Sequence, residues 1–385
     1  MPKKCTIDDI ARLAGVSRTT VSRVLNHKPD VDAATREHVL RIIHEQNFVP
    51  SSTASGLAGG RSRLIGMLIP AWAWPIIPDL TRGIVEMVKQ TPYDLVLYSI
   101  NDEDLERDRS EVINRLLATQ LTAGLLAIFP DHVSQQLTRL YKQGFPLVII
   151  DDQEVQTTPW VGADNTTGAY KAVRHLISLG HRRIAHIQGP KEYLVSHDRY
   201  QGYRQALLEE GITPDADLVL EGDFLPPSGR ICASKFFELP LEKRPTAIFA
   251  ASDEMAYGVI SAAEEYGLSI PRDVALVGFD DDAHSMHTRP ALTTVKQPFF
   301  EMGQRGIELL LSQLDIPASP TRNQTNYSRG QESRGIANDA RSLAGTQTGT
   351  QPTRILLPTS LIVRESCGAT TSHSSIATSS GKVAL

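Results

Sequence analysis

Cysteine is scarce in this 385-residue chain: Cys5, Cys232 and Cys367 stand far apart. An odd, widely spaced set supplies neither a disulfide framework nor a zinc site, and it points to a reducing cytoplasm. There the N-x-S/T sequons at Asn165, Asn323 and Asn326 carry no meaning. No run of about 18 apolar residues occurs, so no membrane partner is expected. The first residues, Met1 to Asp9, have lysines but no apolar stretch behind them, which predicts no secretory leader. There is no G-x-G-x-x-G after the first strand, no G-x-x-x-x-G-K-[ST], and no H-E-x-x-H among eleven histidines. Ser196, His197 and Asp198 are contiguous, whereas a catalytic triad converges from separate segments. The run Asp280–Asp282 reads as a strand-end turn rather than a cation chelate. The expectation is a protein with no catalytic residues, no metal ligands and no cofactor.

What is present is ordinary globular material, 41% hydrophobic and 22% charged, long enough for two or three domains. The net charge of −5 is unevenly spread. Residues 1–63 carry ten Lys/Arg against six Asp/Glu, so a small basic head precedes an acidic body. Only the head is expected to meet a polyanion.

Three textures follow one another. Residues 1–50 predict short helices: Thr6 caps one from Ile7 to about Ala14, with Ile7, Ile10, Leu13 and Ala14 inward. Ser17 caps a second through Leu25, and Asp32 a third from Ala33 to about Gln46. Residues 51–63 are small and polar and read as a linker. From Leu64, apolar runs at 64–69, 95–100, 123–129, 146–150, 184–188, 218–220, 246–251 and 274–279 alternate with amphipathic stretches. Examples of the latter are 78–90, 103–119, 165–179, 199–210 and 253–266. Further strand candidates are 293–298 and 355–364. This alternation predicts two doubly wound parallel-sheet α/β lobes, with ligands outside the carboxyl ends of the strands. Residues 318–352 read as a flexible insertion, and 369–385 as a disordered tail.

Within the head, Ala11 is small where two helices would cross, Gly15 permits a left-handed turn, and Val16 and Val21 lock the second helix on the first. Ser17, Arg18, Thr19, Thr20, Ser22 and Arg23 then form a polar face suited to a major groove. Arg18 and Arg23 have the donor fork for guanine, while Thr6, Ser17, Thr20, Ser22 and Asn26 suit phosphates.

These residues carry a resemblance. Thr-Ile-x-Asp-Ile-Ala from Thr6, Ala-Gly-Val-Ser, Thr-Val-Ser-Arg-Val-Leu-Asn, Thr35-Arg36 and Phe48-Val-Pro resemble the head of the lactose-repressor/galactose-repressor family of bacterial transcription regulators. Leu179-Gly-His-Arg-Arg-Ile-Ala, Val277-Gly-Phe-Asp-Asp and Leu292-Thr-Thr-Val extend the likeness over nearly the whole chain, leaving out 318–352 and the tail.

The resemblance implies a helix-turn-helix head at 1–50 and a hinge helix at 51–63. It implies a periplasmic-binding-protein-type body at 64–368, with one lobe at about 64–162 and 294–316 and the other at about 163–293 and 354–368. In the hinge, Leu57 matches a leucine that wedges into the minor groove and Ala54 a small groove-facing residue. Gly56, Gly59 and Gly60 depart from the pattern, each costing a helix about 1 kcal/mol relative to alanine. In the body, Arg199 and Asp280 match ligand-gripping positions, with Asp151, Ser252 and Asp253 at other strand ends. Trp72, Trp74, Trp160, Phe224 and Phe299 are the candidate aromatic surfaces. The implied protein is a homodimeric, cytoplasmic regulator, expected to repress a catabolic or transport operon. Its implied partners are a pseudo-palindromic DNA duplex and a small effector, a sugar first. The rival readings are a stand-alone sugar-binding receptor module and a sugar-modifying enzyme.

Overall fold

The computed structural model describes residues 5–25, 28–46, 48, 62–69, 74–99, 121–129, 134–151, 157–314 and 352–369. Asn26, Ala54, Leu57, Trp72, the helix expected at 103–119, residues 318–351 and the tail from 370 lie outside these. The chain divides into two compact units between Arg63 and Leu64.

The first unit holds α1 (Ile7–Leu13), α2 (Arg18–Leu25) and α3 (Ala33–Glu45). Thr6 and Asp9 start α1 by a reciprocal capping box: Thr6 Oγ1 accepts from Asp9 N, and Asp9 Oδ2 accepts from Thr6 N. Ser17 Oγ accepts from Thr20 N at 3.1 Å, which sets the start of α2. Between them Gly15 has φ +64°, a turn that a side chain would strain. Ile10, Ala11, Ala14, Val21, Val24, Val39 and Ile42 form the small core. Leu13, expected inward, is 51% exposed. Ala14 and Ile10 already fill the contact with α2, and Leu13 falls one residue outside that stripe.

The second unit contains two six-stranded sheets among the described residues. The first uses β1 (Leu64–Ile69), β2 (Asp94–Ser99), β3 (Thr122–Ile128), β4 (Leu147–Ile150) and β5 (Trp160–Ala163). Its helices are α4 (Ile77–Val88) and α5 (Ser134–Lys142). The second uses β6 (Ile184–Gln188), β7 (Val219–Glu221), β8 (Ala247–Ala250), β9 (Ala275–Asp280) and β10 (Thr293–Lys296). Its helices are α6 (Asn165–Ser178), α7 (Leu194–Glu209), α8 (Pro226–Glu238) and α9 (Asp253–Glu265). The chain then returns to the first lobe as α10 (Phe299–Gln313) and β11 (Arg354–Leu357), and ends in the second as β12 (Ser360–Ile362). The orders are β11-β5-β4-β3-β1-β2 and β12-β10-β9-β8-β6-β7. All pairings among the described strands are parallel except β10 with β12. Continuous apolar strands such as Leu147–Ile150, buried at every position, are what helices on both faces require.

Two sequence assignments change. Strand 293–296 was expected in the first lobe, but it pairs with β9 in the second. Residues 354–357 were expected in the second lobe, but they pair with β5 in the first. The single strand candidate 355–364 is therefore two strands, split by Pro358 and Thr359 and belonging to different sheets. Glycines let helices close tightly: a Cβ on Gly83 of α4 would stand 2.1 Å from Phe300 O, and one on Gly303 of α10 would stand 2.2 Å from Leu80 O. In the Leu179–Ala185 motif, Gly180 (φ +95°) turns the chain after α6, and Arg183 donates to the carbonyls of Arg244 and Glu242. The motif thereby ties β6 to the segment entering β8.

Candidate functional site

In the head, α2 turns Arg18, Thr19 and Arg23 to the surface, with Thr20 and Ser22 half-buried beside them. Its opposite face, Val21 and Val24, is in the core. Arg18 Nε lies 3.8 Å from Asp8, and Arg23 Nη1 lies 3.0 Å from Asp30. The hydroxyls of Thr6 and Ser17 serve as helix caps, Ser17 Oγ also sharing a hydrogen bond with Thr20 Oγ1 at 2.9 Å. Arg36 is engaged within the head, where its Nη2 donates to Lys28 O and Val31 O.

In the body, the start of α7 falls five residues earlier than expected, at Leu194. Ser196 and Arg199 therefore lie three apart on one helix face. Arg199 is 4% exposed. Its Nε donates to Asn165 Oδ1 at 2.8 Å, Nη1 donates to Ala251 O at 2.5 Å, and Nη2 is 3.8 Å from Asp280 Oδ1. The guanidinium lies 4.0 Å over the ring of Phe279 and 5.9 Å from that of Phe224. Burial pushes its pKa down, opposed by the carboxylates of Asp280, Asp151, Asp198 and Asp253. Asp151 belongs to the first lobe, after β4, so both lobes bear on this one cation.

Asp280 ends β9 with φ 121° and accepts from Gln297 Nε2 at 2.8 Å. Burial raises its carboxyl to about 6, with Arg199 pulling the other way. Phe224, also in a left-handed conformation (φ 67°), is half-buried and tilts 58° against Tyr193. Its ring end occupies the space above Gly189, where a Cβ would stand 2.1 Å away. Ser196 Oγ, on α7, and Gln297 Oε1, after β10, are buried polar atoms without a hydrogen-bond partner among the described residues.

Other expected contacts turn inward. Asp253 is fully buried. It accepts from Thr294 Oγ1 at 2.5 Å, Ser285 Oγ at 2.6 Å and Asp282 N at 3.0 Å. Burial, then the charge of Asp280, raises its carboxyl well above the ordinary range. Asp253 thus fixes the turn that presents Asp280. Ser252 is spent on capping α9 through Met255 N and on donating to Phe224 O. Phe299, 7% exposed at the start of α10, belongs to the first lobe's core. Trp74 is half-buried and packs 5.5 Å from Phe129, a residue at φ 45° after β3. Asn165, Gln297 and Phe279 were not anticipated. Asn165 opens α6 directly after β5, so missing β5 hid it.

Residues 6–51 match the model of bacterial regulatory proteins of the lacI family, and residues 173–330 that of a periplasmic binding protein-like domain. Catabolite control protein A of Priestia megaterium is 34% identical over 307 residues, covering 79% of this chain and 91% of that protein. The chain belongs to the LacI family. The HTH-type transcriptional repressor PurR of Aliivibrio fischeri is 33% identical over 311 residues, 80% of this chain and 91% of that one. Among solved structures, the lac repressor dimer bound to operator and the anti-inducer ONPF aligns with a TM-score of 0.77 at 28% identity, covering 95% of this chain and all of that one. The transcriptional regulator CelR in complex with cellobiose aligns with a TM-score of 0.65 at 29% identity, covering 94% and 99%. This LacI-family chain is a DNA-binding transcriptional repressor with a ligand-binding body, not an enzyme. No helix among the described residues is long and apolar enough to cross a membrane.

Proposed function

We propose that the chain represses a catabolic or transport operon as a cytoplasmic homodimer on a pseudo-palindromic operator, and that a neutral sugar bound in the body governs that repression. The observation that carries the effector reading is the buried Arg199–Asp280 pair beside Phe224. A cation and a carboxylate side by side match a hydroxyl, which both accepts and donates, and an aromatic ring matches the C–H face of a pyranose. One guanidinium among the carboxylates of Asp280, Asp151, Asp198 and Asp253 opposes a phosphorylated or otherwise anionic ligand. The cellobiose seated in CelR supports a sugar; the likeness to PurR makes purines the competing class.

For DNA, the exposed Arg18, Thr19 and Arg23 of α2 read bases, with Ser17, Thr20 and Ser22 towards phosphates. A two-fold dimer demands a two-fold operator. Ligand and DNA affinity change each other by the same factor. Leu57, wedging in the minor groove, should matter to operator and not to random DNA: Leu57→Ala weakens the first much more than the second, and equal weakening would refute the wedge.

The test of the effector is a thermal-shift screen of the purified protein against monosaccharides, disaccharides, purine bases and nucleosides. A compound at about 100 times its Kd stabilises the fold by about 2.7 kcal/mol. A sugar hit that also changes operator binding supports the reading; a purine hit, or sugars without effect, overturns it.

A further inference from the structure

The turn between α2 and α3 is braced from behind. Arg36, on α3, donates to the carbonyls of Lys28 and Val31, so one guanidinium spans the described residues 28–31 of the turn. Lys28 N donates to Arg23 O at 3.0 Å, tying the turn to the last residues of α2. Asp32 accepts from Thr35 N at 2.9 Å and starts α3. Asp30 sits inside this braced segment, and its Oδ2 lies 3.0 Å from Arg23 Nη1. Both side chains are about half exposed, so as an ion pair in water the contact contributes little to stability.

Its geometry has a different consequence. Arg23 stands one turn after Thr19 on the polar face of α2 and ends in a planar fork of donors. A carboxylate anchored to a braced turn takes one nitrogen and leaves the rest of the fork aimed. An unpaired aspartate on a DNA-facing surface would only repel phosphates. We propose that Asp30 is a specificity-determining positioning residue: it aims Arg23 at one base pair of each half-site. This rests on α2 being the recognition helix.

The two effects of Asp30 separate experimentally. The full-length protein selects its preferred duplex from a random pool. Competition titrations then measure the wild type, Asp30→Ala, Arg23→Ala and the double variant on duplexes altered one base pair at a time. Asp30→Ala should lose about tenfold in discrimination at a single base pair per half-site, the one that Arg23→Ala also loses. At the same time it should bind random-sequence DNA more tightly, because a negative charge has left the surface. The double variant should discriminate at that pair no worse than Arg23→Ala alone. Asp30→Ser, which suits a turn, repeats the measurement if alanine disturbs the head's circular dichroism. Tighter binding to every duplex with discrimination intact would reduce Asp30 to simple repulsion and overturn the proposal, as would losses that add to those of Arg23→Ala. If Arg23→Ala keeps full discrimination at every position, the recognition-helix reading itself fails and the proposal falls with it.

Discussion

Gly278 and Asp253 occupy one space: a Cβ on the glycine would stand 2.3 Å from Asp253 Oδ1. The Val277-Gly-Phe-Asp-Asp motif therefore joins two needs. Its aspartates turn the chain after β9, and its glycine leaves room for the buried carboxylate that holds this turn. Gly278→Ala must push Asp253 off Thr294, Ser285 or Asp282. Overpacking of this kind costs about 1–3 kcal/mol. Urea unfolding should show a lower midpoint with an unchanged slope, and effector affinity should fall because Asp280 moves.

Burial raises the Asp280 carboxyl to about 6, and in the proposed site it is the ionised form that would accept from ligand hydroxyls. A ligand that prefers the charged carboxylate binds more tightly as pH rises through that value and more weakly as pH falls through it. Calorimetric titration from pH 5 to 8 checks this. Arg199 holds the value down, so Arg199→Gln should move the transition upwards and weaken binding at every pH. An affinity flat with pH would show that Asp280 does not touch the ligand.

His186 is fully buried between the rings of Tyr203 and Phe249, with Nδ1 3.0 Å from Phe249 O. Burial lowers its pKa to about 4, from 6.5 in an unfolded chain. The unfolded chain therefore binds the extra proton over the window from 6.5 down to 4. Its contribution to stability is present above 6.5 and is lost as pH falls through that window, of order 3 kcal/mol in full. His186→Phe should flatten that slope relative to wild type in pH-resolved unfolding curves.

Phe224 contributes a ring and no hydrogen bond to the proposed site. Phe224→Ala should weaken sugar binding by roughly 1–2 kcal/mol, five- to thirtyfold, while leaving operator affinity without ligand unchanged. Phe224→Tyr should retain most of the binding. Equal affinity for alanine and wild type in a thermal-shift titration would remove the stacking surface from the site.

Much of this was legible in the residues. Eight apolar runs became eight strands within one residue of their expected ends, because the buried inner strands of a parallel sheet leave a clear apolar signature and the edge strands β2 and β7 still carry short apolar runs. β5 escaped: Trp160-Val-Gly-Ala is four residues long, follows a proline, and contains a glycine. Helices α5, α8 and α10 are not among the example stretches; in α8, Pro226-Pro-Ser-Gly looks like a loop, although proline suits the first turn. At the proposed site, Arg199 and Asp280 were identifiable by motif position and Phe224 as an aromatic interleaved with the polar residues, whereas Asn165, Phe279 and Gln297 come from segments 34 to 98 residues away from Arg199 and meet it or Asp280 only in the fold. The inward turn of Ser252 and Asp253 could not be read either, because a strand-end Ser-Asp serves equally as a helix cap or a ligand contact.

The crossings between lobes bear on synthesis. The chain passes from β5 to α6, from β10 to α10, and from β11 to β12 among the described residues, and Asp164 N donates to Leu357 O where two of these passages meet. Each sheet receives its last edge strand from residues 354–362. A nascent chain on the ribosome cannot finish one lobe and then begin the other. Both wait for the same nine residues, so the body must mature late and as a unit, and a chain stopped before Arg354 leaves two open sheet edges at once.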